Sequence, residues 1–123
     1  MKVLNFFGGA GIGKSTIAAD VFSKLKRKGY KTELVGEYAK WLWYQNATEI
    51  VEDQLYLFAE QAHRTKTLAK YGVEYAVCDS PLPLNIIYNR EPSEAFDTLV
   101  MQIPYTVISP WETDKVALDL KVR

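Results

Sequence analysis

The residues most suited to binding and catalysis lie in one glycine-rich loop that ends in a lysine and a serine. The run from residue 8 to residue 15 fits G-x-x-x-x-G-K-[ST] at each fixed position. Glycine lets the backbone turn without a Cβ clash, so several N–H groups converge on one anion. Lys14 is placed to reach the β- and γ-phosphates, and the Ser15 hydroxyl to ligate Mg²⁺. The loop therefore predicts a nucleotide-phosphate site formed by Gly8, Gly9, Ala10, Gly11, Ile12, Gly13, Lys14, Ser15 and Thr16.

Two carboxylates are candidate partners of this loop. Asp79 follows the apolar segment Tyr75–Cys78, where an acidic side chain can hold Mg²⁺ opposite the loop, or alternatively cap the next helix. Glu37 follows a second apolar segment and can accept the proton of an attacking hydroxyl, or alternatively serve as a first-turn carboxylate favoured by the helix dipole. The sequence is compatible with either role for each carboxylate.

Further polar residues fall on one long helical segment. At about 100° per residue, an apolar arc forms from Val51, Leu55, Phe58, Ala62 and Ala69. Gln54 and Gln61 lie within this arc, beside Leu57 and Leu68. Buried amides need partners that a nucleobase edge, a sugar or the neighbouring backbone can supply. Arg64, at the edge of the arc, is positioned to clamp a substrate phosphate or to pair with Glu60 one turn earlier. This helix is therefore a candidate substrate-binding surface.

The elements that must position these residues alternate along the chain. Strands are predicted at Val3–Phe7, Lys31–Val35, Tyr75–Cys78 and Tyr105–Ile108. Helices are predicted at Lys14–Lys28, Glu37–Tyr44, from a capping box at residues 46–49 to about Tyr71, at Leu84–Tyr88 and at Glu94–Gln102. The segment Trp111–Arg123 is ambiguous between helix and strand. The alternation predicts one domain over residues 1–123, an α/β fold in three layers with a short, mainly parallel sheet flanked by helices.

Three smaller features complete this prediction. Gly29 and Gly72 are expected to end their helices, and Ser93 to cap the last one. Three aromatic residues after Glu37 favour either a base-stacking lip or, more commonly, part of the core: Trp41, Trp43 and Tyr44.

Composition excludes several classes of protein. The 15 Lys and Arg balance 15 Asp and Glu, so bulk electrostatic capture of nucleic acid or of an anionic membrane is not expected. The one cysteine, Cys78, excludes a disulfide framework and a cysteine-based zinc site and favours the reducing cytoplasm. No apolar run approaches the roughly 20 residues of a membrane span. With 3 Trp, 8 Tyr and 5 Phe to bury, the chain is expected to fold.

The motifs together resemble a known group of proteins. The matching segments are residues 5–16 around the glycine loop, Glu37-Tyr38-Ala39-Lys40, Glu52-Asp53-Gln54, Gln61 with His63-Arg64, and residues 79–84, Asp-Ser-Pro-Leu-Pro-Leu. From Val3 to about Tyr88, roughly two-thirds of the chain, they resemble the small phage and bacterial P-loop ATP-binding proteins related to nucleoside and nucleotide kinases. The kinase domain of nicotinamide riboside kinases is similar to this group.

The resemblance implies ATP, Mg²⁺ and phosphoryl transfer to a small nucleoside or nucleotide. It implies the acceptor-side carboxylate at Glu37 and the metal-side carboxylate at Asp79. Such kinases usually continue into a lid that carries an arginine, whereas here the segment after Ile108 contains no arginine before Arg123. Either Arg64, Arg90 or Arg123 substitutes, or a partner supplies the charge, or catalysis is weak.

An alternative is therefore a nucleotide-binding regulatory or interaction protein on a shortened kinase scaffold. An ATPase acting on another macromolecule is a third possibility, without a recognisable group for activating water. A short sheet with an apolar edge also makes self-association or a protein partner plausible.

Overall fold

Four short strands form one open sheet in the part of the chain that the computed structural model describes, residues 1–7, 12–102 and 106–108. They are β1 (Lys2–Phe6), β2 (Thr32–Val35), β3 (Tyr75–Cys78) and β4 (Thr106–Ile108). All three pairings are parallel, and the spatial order is β2-β3-β1-β4. The predicted parallel sheet is confirmed, and each predicted strand is found to within one residue at either end.

Six helices accompany the sheet in the same described residues. They are α1 (Lys14–Arg27), α2 (Tyr38–Tyr44), α3 (Thr48–Glu52), α4 (Gln54–Lys70), α5 (Leu84–Tyr88) and α6 (Glu94–Met101). The mixed α/β class with flanking helices is thus confirmed. The prediction for Trp111–Arg123 lies outside the described residues.

The sheet is covered on both faces, because side chains alternate along each strand. On one face Tyr75 and Val77 pack with residues of β1 and with the apolar side of α1: Leu4, Phe6, Ala18, Val21 and Leu25. On the other face Ala76 and Cys78 pack with Val35, and Leu68 of α4 adds to that cluster. A third cluster joins α4 to α6 through an edge-to-face pair, Phe58 and Phe96, whose ring centroids lie 5.7 Å apart.

The predicted helix ends at Gly29 and Gly72 are confirmed. Two backbone hydrogen bonds explain the end of α1 at Gly29. Gly29 has φ +88°, its N–H bonds the carbonyl of Lys26, and the N–H of Tyr30 bonds the carbonyl of Leu25. This pair of bonds is a Schellman motif, which needs a left-handed residue after the helix. Gly72, at φ +72°, follows α4 in the same conformation.

The capping box predicted at residues 46–49 is wrong. Asn46 has φ +57°, and the N–H groups of Asn46 and Ala47 bond the carbonyls of Trp43 and Leu42. Asn46 therefore ends α2 in a Schellman motif instead of capping the next helix, since asparagine tolerates the left-handed region better than other non-glycine residues.

The long helix predicted to reach Tyr71 is also interrupted. Asp53 separates α3 from α4, and its Oδ1 accepts a hydrogen bond from the backbone N–H of Tyr56 at 3.0 Å. Aspartate in this position satisfies an N–H that the first turn leaves free.

The buried face of α4 differs from the predicted arc. Leu55 is 59 % exposed and Ala69 is exposed, whereas Leu57, predicted beside the arc, is buried at 5 %. Phe58 and Ala62 are buried as expected. The buried face of α4 is therefore displaced from Leu55 toward Leu57 and the two glutamines.

This register predicts a contrast between two leucines of one helix. Leu57→Ala is expected to lower the free energy of unfolding by about 2–5 kcal/mol, since it deletes a buried side chain. Leu55→Ala, two residues away and exposed, is expected to change it by about 0.5 kcal/mol or less. Urea denaturation followed by circular dichroism measures both. Equal losses in the two variants would contradict the register.

Within the described residues, no helix is both long enough and apolar enough to cross a lipid bilayer.

Candidate functional site

The strand order brings the ends of β1 and β3 side by side. Asn5 lies opposite Cys78 in the β1–β3 register, so the loop after β1 and Asp79 leave the sheet at the same edge. From β1 the chain crosses to β2 at one edge of the sheet, and from β3 it crosses to β4 at the opposite edge. In open parallel sheets, ligands bind in the crevice at such a switch in direction.

At this crevice Ser15 and Asp79, which are 64 positions apart in sequence, are in direct contact. The Ser15 Oγ donates a hydrogen bond to Asp79 Oδ2 at 3.1 Å. Asp79 Oδ1 is buried and has no hydrogen-bond partner among the described residues. The alternative role of Asp79 as a helix cap is not used, because α5 begins at Leu84 and its N-cap is Pro83.

This pair fits a divalent cation. A buried carboxylate oxygen without a partner costs free energy unless a cation or donor reaches it, and the neighbouring hydroxyl is a further oxygen ligand. Within residues 1–7 and 12–102, no three His, Cys, Asp or Glu side chains gather into a metal-binding cluster. An ion at Ser15 and Asp79 would therefore take most of its ligands from phosphate and water, as Mg²⁺ commonly does.

The N-terminus of α1 adjoins this pair. Gly13, its N-cap, has φ +88°, a conformation that only glycine adopts without strain, and it provides no side-chain cap. The first turn contains no acidic residue, and Lys14 is its first residue. The positive end of this helix is thus left without a compensating side chain in its own first turn. Gly8, Gly9, Ala10 and Gly11 lie outside the described residues.

Glu37 lies at the same edge of the sheet, one strand further along. Val35 pairs with Cys78 at the carboxyl ends of β2 and β3, and Glu37 and Asp79 follow these two residues by two positions and one position. Glu37 is the N-cap of α2, but its side chain makes no capping hydrogen bond and is exposed. The carboxylate is therefore available to a ligand.

A cavity of about 350 Å³ opens beside Glu37, between α2, α4 and α5. Both predicted glutamines line it and are buried, Gln54 at 8 % and Gln61 at 5 % exposure. Gln54 Nε2 donates to the carbonyl of Val51 at 3.1 Å, which is the backbone alternative. Gln61 Nε2 donates to Cys78 Sγ at 3.5 Å. Neither amide oxygen has a partner among the described residues, so both remain available to a ligand.

Cys78 links this cavity to the end of β3. Burial raises the pKa of its thiol to about 11, and the negative charges of Asp79 and Glu37 act in the same direction. The Sγ hydrogen bonds with Gln61 and with the carbonyl of Ser80 oppose this shift, at 3.5 Å and 3.2 Å. The thiol is therefore neutral at physiological pH, and it joins Gln61 to Ser80 without adding charge.

Arg64 lies apart from the lining of the cavity. Its Nε is 3.0 Å from Glu60 Oε1, the pairing that was the alternative to a phosphate clamp, and its guanidinium carbon lies 4.3 Å from the ring centroid of Tyr38. The Tyr38 and Tyr56 hydroxyls are 3.2 Å apart. Arg64 thus holds α2 against α4 instead of reaching into the cavity.

The lining residues Asn85 and Tyr88 were not predicted as ligand contacts, and no local motif marks them. Glu52, from one of the matching segments, and Arg90, a candidate substitute for a lid arginine, also line the cavity. Of the aromatic residues after Glu37, Trp43 lines the cavity. Trp41, Trp43 and Tyr44 are all exposed, so their assignment to the core is wrong.

No family model, curated protein or solved structure matches this chain.

Proposed function

We propose that this protein binds Mg·ATP at the loop after β1 and transfers the γ-phosphoryl group to a nucleoside or nucleotide. The observation that carries the proposal is the contact between Ser15 and Asp79, with one buried carboxylate oxygen that has no partner among the described residues. The P-loop kinase resemblance of the sequence requires these two residue types to meet at a metal ion.

The surroundings of this pair support a phosphate ligand. The N-terminus of α1 presents backbone N–H groups and a positive dipole end, with Lys14 as its first residue. By contrast α6 has both a Ser93 side-chain cap and acidic residues in its first turn. The strand order is that of a sheet whose crevice lies between β1 and β3, where a P-loop fold would bind its nucleotide.

The cavity supports an acceptor on the other side of Asp79. Its volume of about 350 Å³ is at the lower end of the range for small-molecule sites. Glu37 and Ser80 line it where β2 and β3 end, so a bound hydroxyl would lie between Glu37 and the phosphate site.

The proposed transfer is one displacement at phosphorus. The acceptor hydroxyl oxygen forms a bond to the γ-phosphorus, the bond from that phosphorus to the β–γ bridging oxygen breaks, and ADP leaves with that electron pair. Glu37 accepts the hydroxyl proton. Lys14 balances charge on the phosphates, and Ser15 and Asp79 would hold Mg²⁺, which supplies electrostatic stabilisation of the transferring group.

A catalytically weak nucleotide-binding protein is the second candidate. Arg64 and Arg90, the described arginines nearest the cavity, are both paired with carboxylates, Glu60 and Glu52. A nearby carboxylate balances the charge of each guanidinium in this arrangement, which weakens its stabilisation of the transferring group and favours binding with slow turnover.

Thermal denaturation with nucleotide tests the proposal. At ATP concentrations about 100-fold above Kd, Mg·ATP is expected to stabilise the wild-type chain by about 2.7 kcal/mol, since ligand binds only the folded form. Lys14→Ala is expected to lose most of this stabilisation, while Lys24→Ala, in the last turn of the same helix, is expected to retain it. An unchanged melting temperature in ATP would refute the proposal, and stabilisation without phosphorylated product would favour the second candidate.

A further inference from the structure

The cavity beside Glu37 is the proposed acceptor site. The charges that line it distinguish between a nucleoside and a nucleotide as the acceptor. Among the described residues that line it, the charged side chains are Glu37, Glu52 and Arg90. Two carboxylates against one guanidinium leave the lining with a net charge of −1. No lysine contributes to the described lining. A phosphate-bearing acceptor would bring further negative charge to this wall.

The one cation of the described lining is already engaged. Arg90 Nη1 donates to Glu52 Oε1 at 3.0 Å, and both side chains are largely exposed. A phosphate group needs a guanidinium or ammonium donor to replace its hydration. The other N–H donors of Arg90 have no described partner, but a phosphate bound to them would lie beside the Glu52 carboxylate, which repels it.

The nearest other arginine does not change this balance. Arg64 pairs with Glu60 and covers the ring of Tyr38 from outside the lining. The adjoining cavity, on the other side of the Glu52–Arg90 pair, also contains Asp53 and Glu91. Its described lining therefore carries three carboxylates and one guanidinium, so both sides of this ion pair are acidic.

The neutral part of the lining suits an uncharged planar group. Trp43 and Tyr88 present aromatic surface on which a base can stack. The amide oxygens of Gln54 and Gln61, which have no partner in the described part of the chain, can accept from exocyclic N–H or hydroxyl donors. Glu37 provides the acceptor for a hydroxyl proton.

We infer that the acceptor is an uncharged nucleoside and not a nucleoside phosphate. This inference rests on the proposed function for the transfer step, although nucleoside binding to the cavity can be measured without ATP. Discrimination comes from repulsion by Glu37 and Glu52, since the one cation of the described lining is balanced by the carboxylate of Glu52.

Two measurements on the full chain test the inference separately from the proposed function. Calorimetry without ATP compares adenosine, guanosine, cytidine, uridine and thymidine with their 5′-monophosphates. A second series measures phosphoryl transfer from Mg·ATP to the same ten compounds. At least one nucleoside is expected to bind, and to be phosphorylated, at least about tenfold better than its own monophosphate.

The outcomes separate the two proposals. Stabilisation by Mg·ATP together with a preference for monophosphates, or with no binding of any nucleoside, would overturn the inference and leave nucleotide binding intact. Nucleoside binding without any effect of Mg·ATP would support the inference about the cavity and remove the proposed transfer.

A charge-neutral substitution gives a sharper test. Glu52→Gln releases Arg90 and removes one negative charge, so the ratio of monophosphate to nucleoside affinity is expected to rise about tenfold. Glu49→Gln removes an exposed carboxylate from the same helix outside the described lining, and the ratio is expected to stay unchanged. An equal ratio in wild type and Glu52→Gln would contradict the charge argument.

Discussion

Glu37→Gln is expected to slow phosphoryl transfer by about two to four orders of magnitude, because glutamine cannot accept the proton of the attacking hydroxyl. The substitution retains the size of the side chain, and Glu37 makes no capping hydrogen bond that would be lost. The melting temperature and the affinity for Mg·ATP are therefore expected to match the wild type. Single-turnover transfer from labelled ATP measures the loss.

The matched control is Glu33→Gln, an exposed carboxylate on β2 outside the described cavity lining. Its transfer rate is expected to stay within about twofold of the wild type, as for a surface change remote from the site. If Glu37→Gln transfers phosphate at the wild-type rate, Glu37 is not the base.

Asp79→Asn is expected to slow Mg-dependent transfer by about two to three orders of magnitude, since it removes the carboxylate placed to hold the cation. The same change removes the charge of a half-buried carboxylate whose Oδ1 is buried without a described partner. Without ligands, the variant is therefore expected to melt no lower than the wild type.

Magnesium titrations at fixed ATP separate these effects. The Asp79→Asn variant is expected to need a higher Mg²⁺ concentration for the same stabilisation by ATP. Asp20→Asn, which breaks an exposed ion pair with Lys24 on α1, serves as the control and is expected to titrate normally. A lower melting temperature with an unchanged Mg²⁺ requirement would assign Asp79 a structural role.

Local signals were sufficient for the strands and for several helix ends. Tyr75–Cys78 is apolar throughout, and all four of its side chains are buried, as expected of a central parallel strand. The helix end at Gly29 needs only two hydrogen bonds between residues close in sequence. It can therefore be predicted from a glycine that follows an amphipathic helical segment. Alternation of strands and helices then predicts the parallel sheet.

The errors arose where two local interpretations compete. Asn46 suits a helix start as well as a left-handed helix end, and only the bonds to Trp43 and Leu42 decide between them. Asp53 is compatible with the interior of a long helix as well as with a helix start, and its capping bond to Tyr56 selects the start of α4. The buried side of α4 depends on packing with elements distant in sequence, so Leu55 is exposed and Leu57 is buried.

The cavity itself depends on contacts distant in sequence. Glu52 and Arg90 are 38 positions apart, and neither lies in a motif that predicts the other. By contrast, the sequence predicts a shared metal site for Ser15 and Asp79, because the glycine loop and Asp79 each follow the carboxyl end of a predicted parallel strand. That functional assignment stays a prediction, while the contact itself is observed.

Helix α2 is anchored lightly for a wall of a binding site. Leu42 is its one buried side chain, and its contact with α4 depends on the exposed pair Tyr38 and Tyr56 with Arg64. Segments with few buried contacts open at low free-energy cost, independently of the rest of the fold. The free-energy cost of ordering this helix would then offset part of the favourable contact energy of any acceptor. Apparent affinity should consequently understate the quality of the contacts, and tighter anchoring of α2 would raise it.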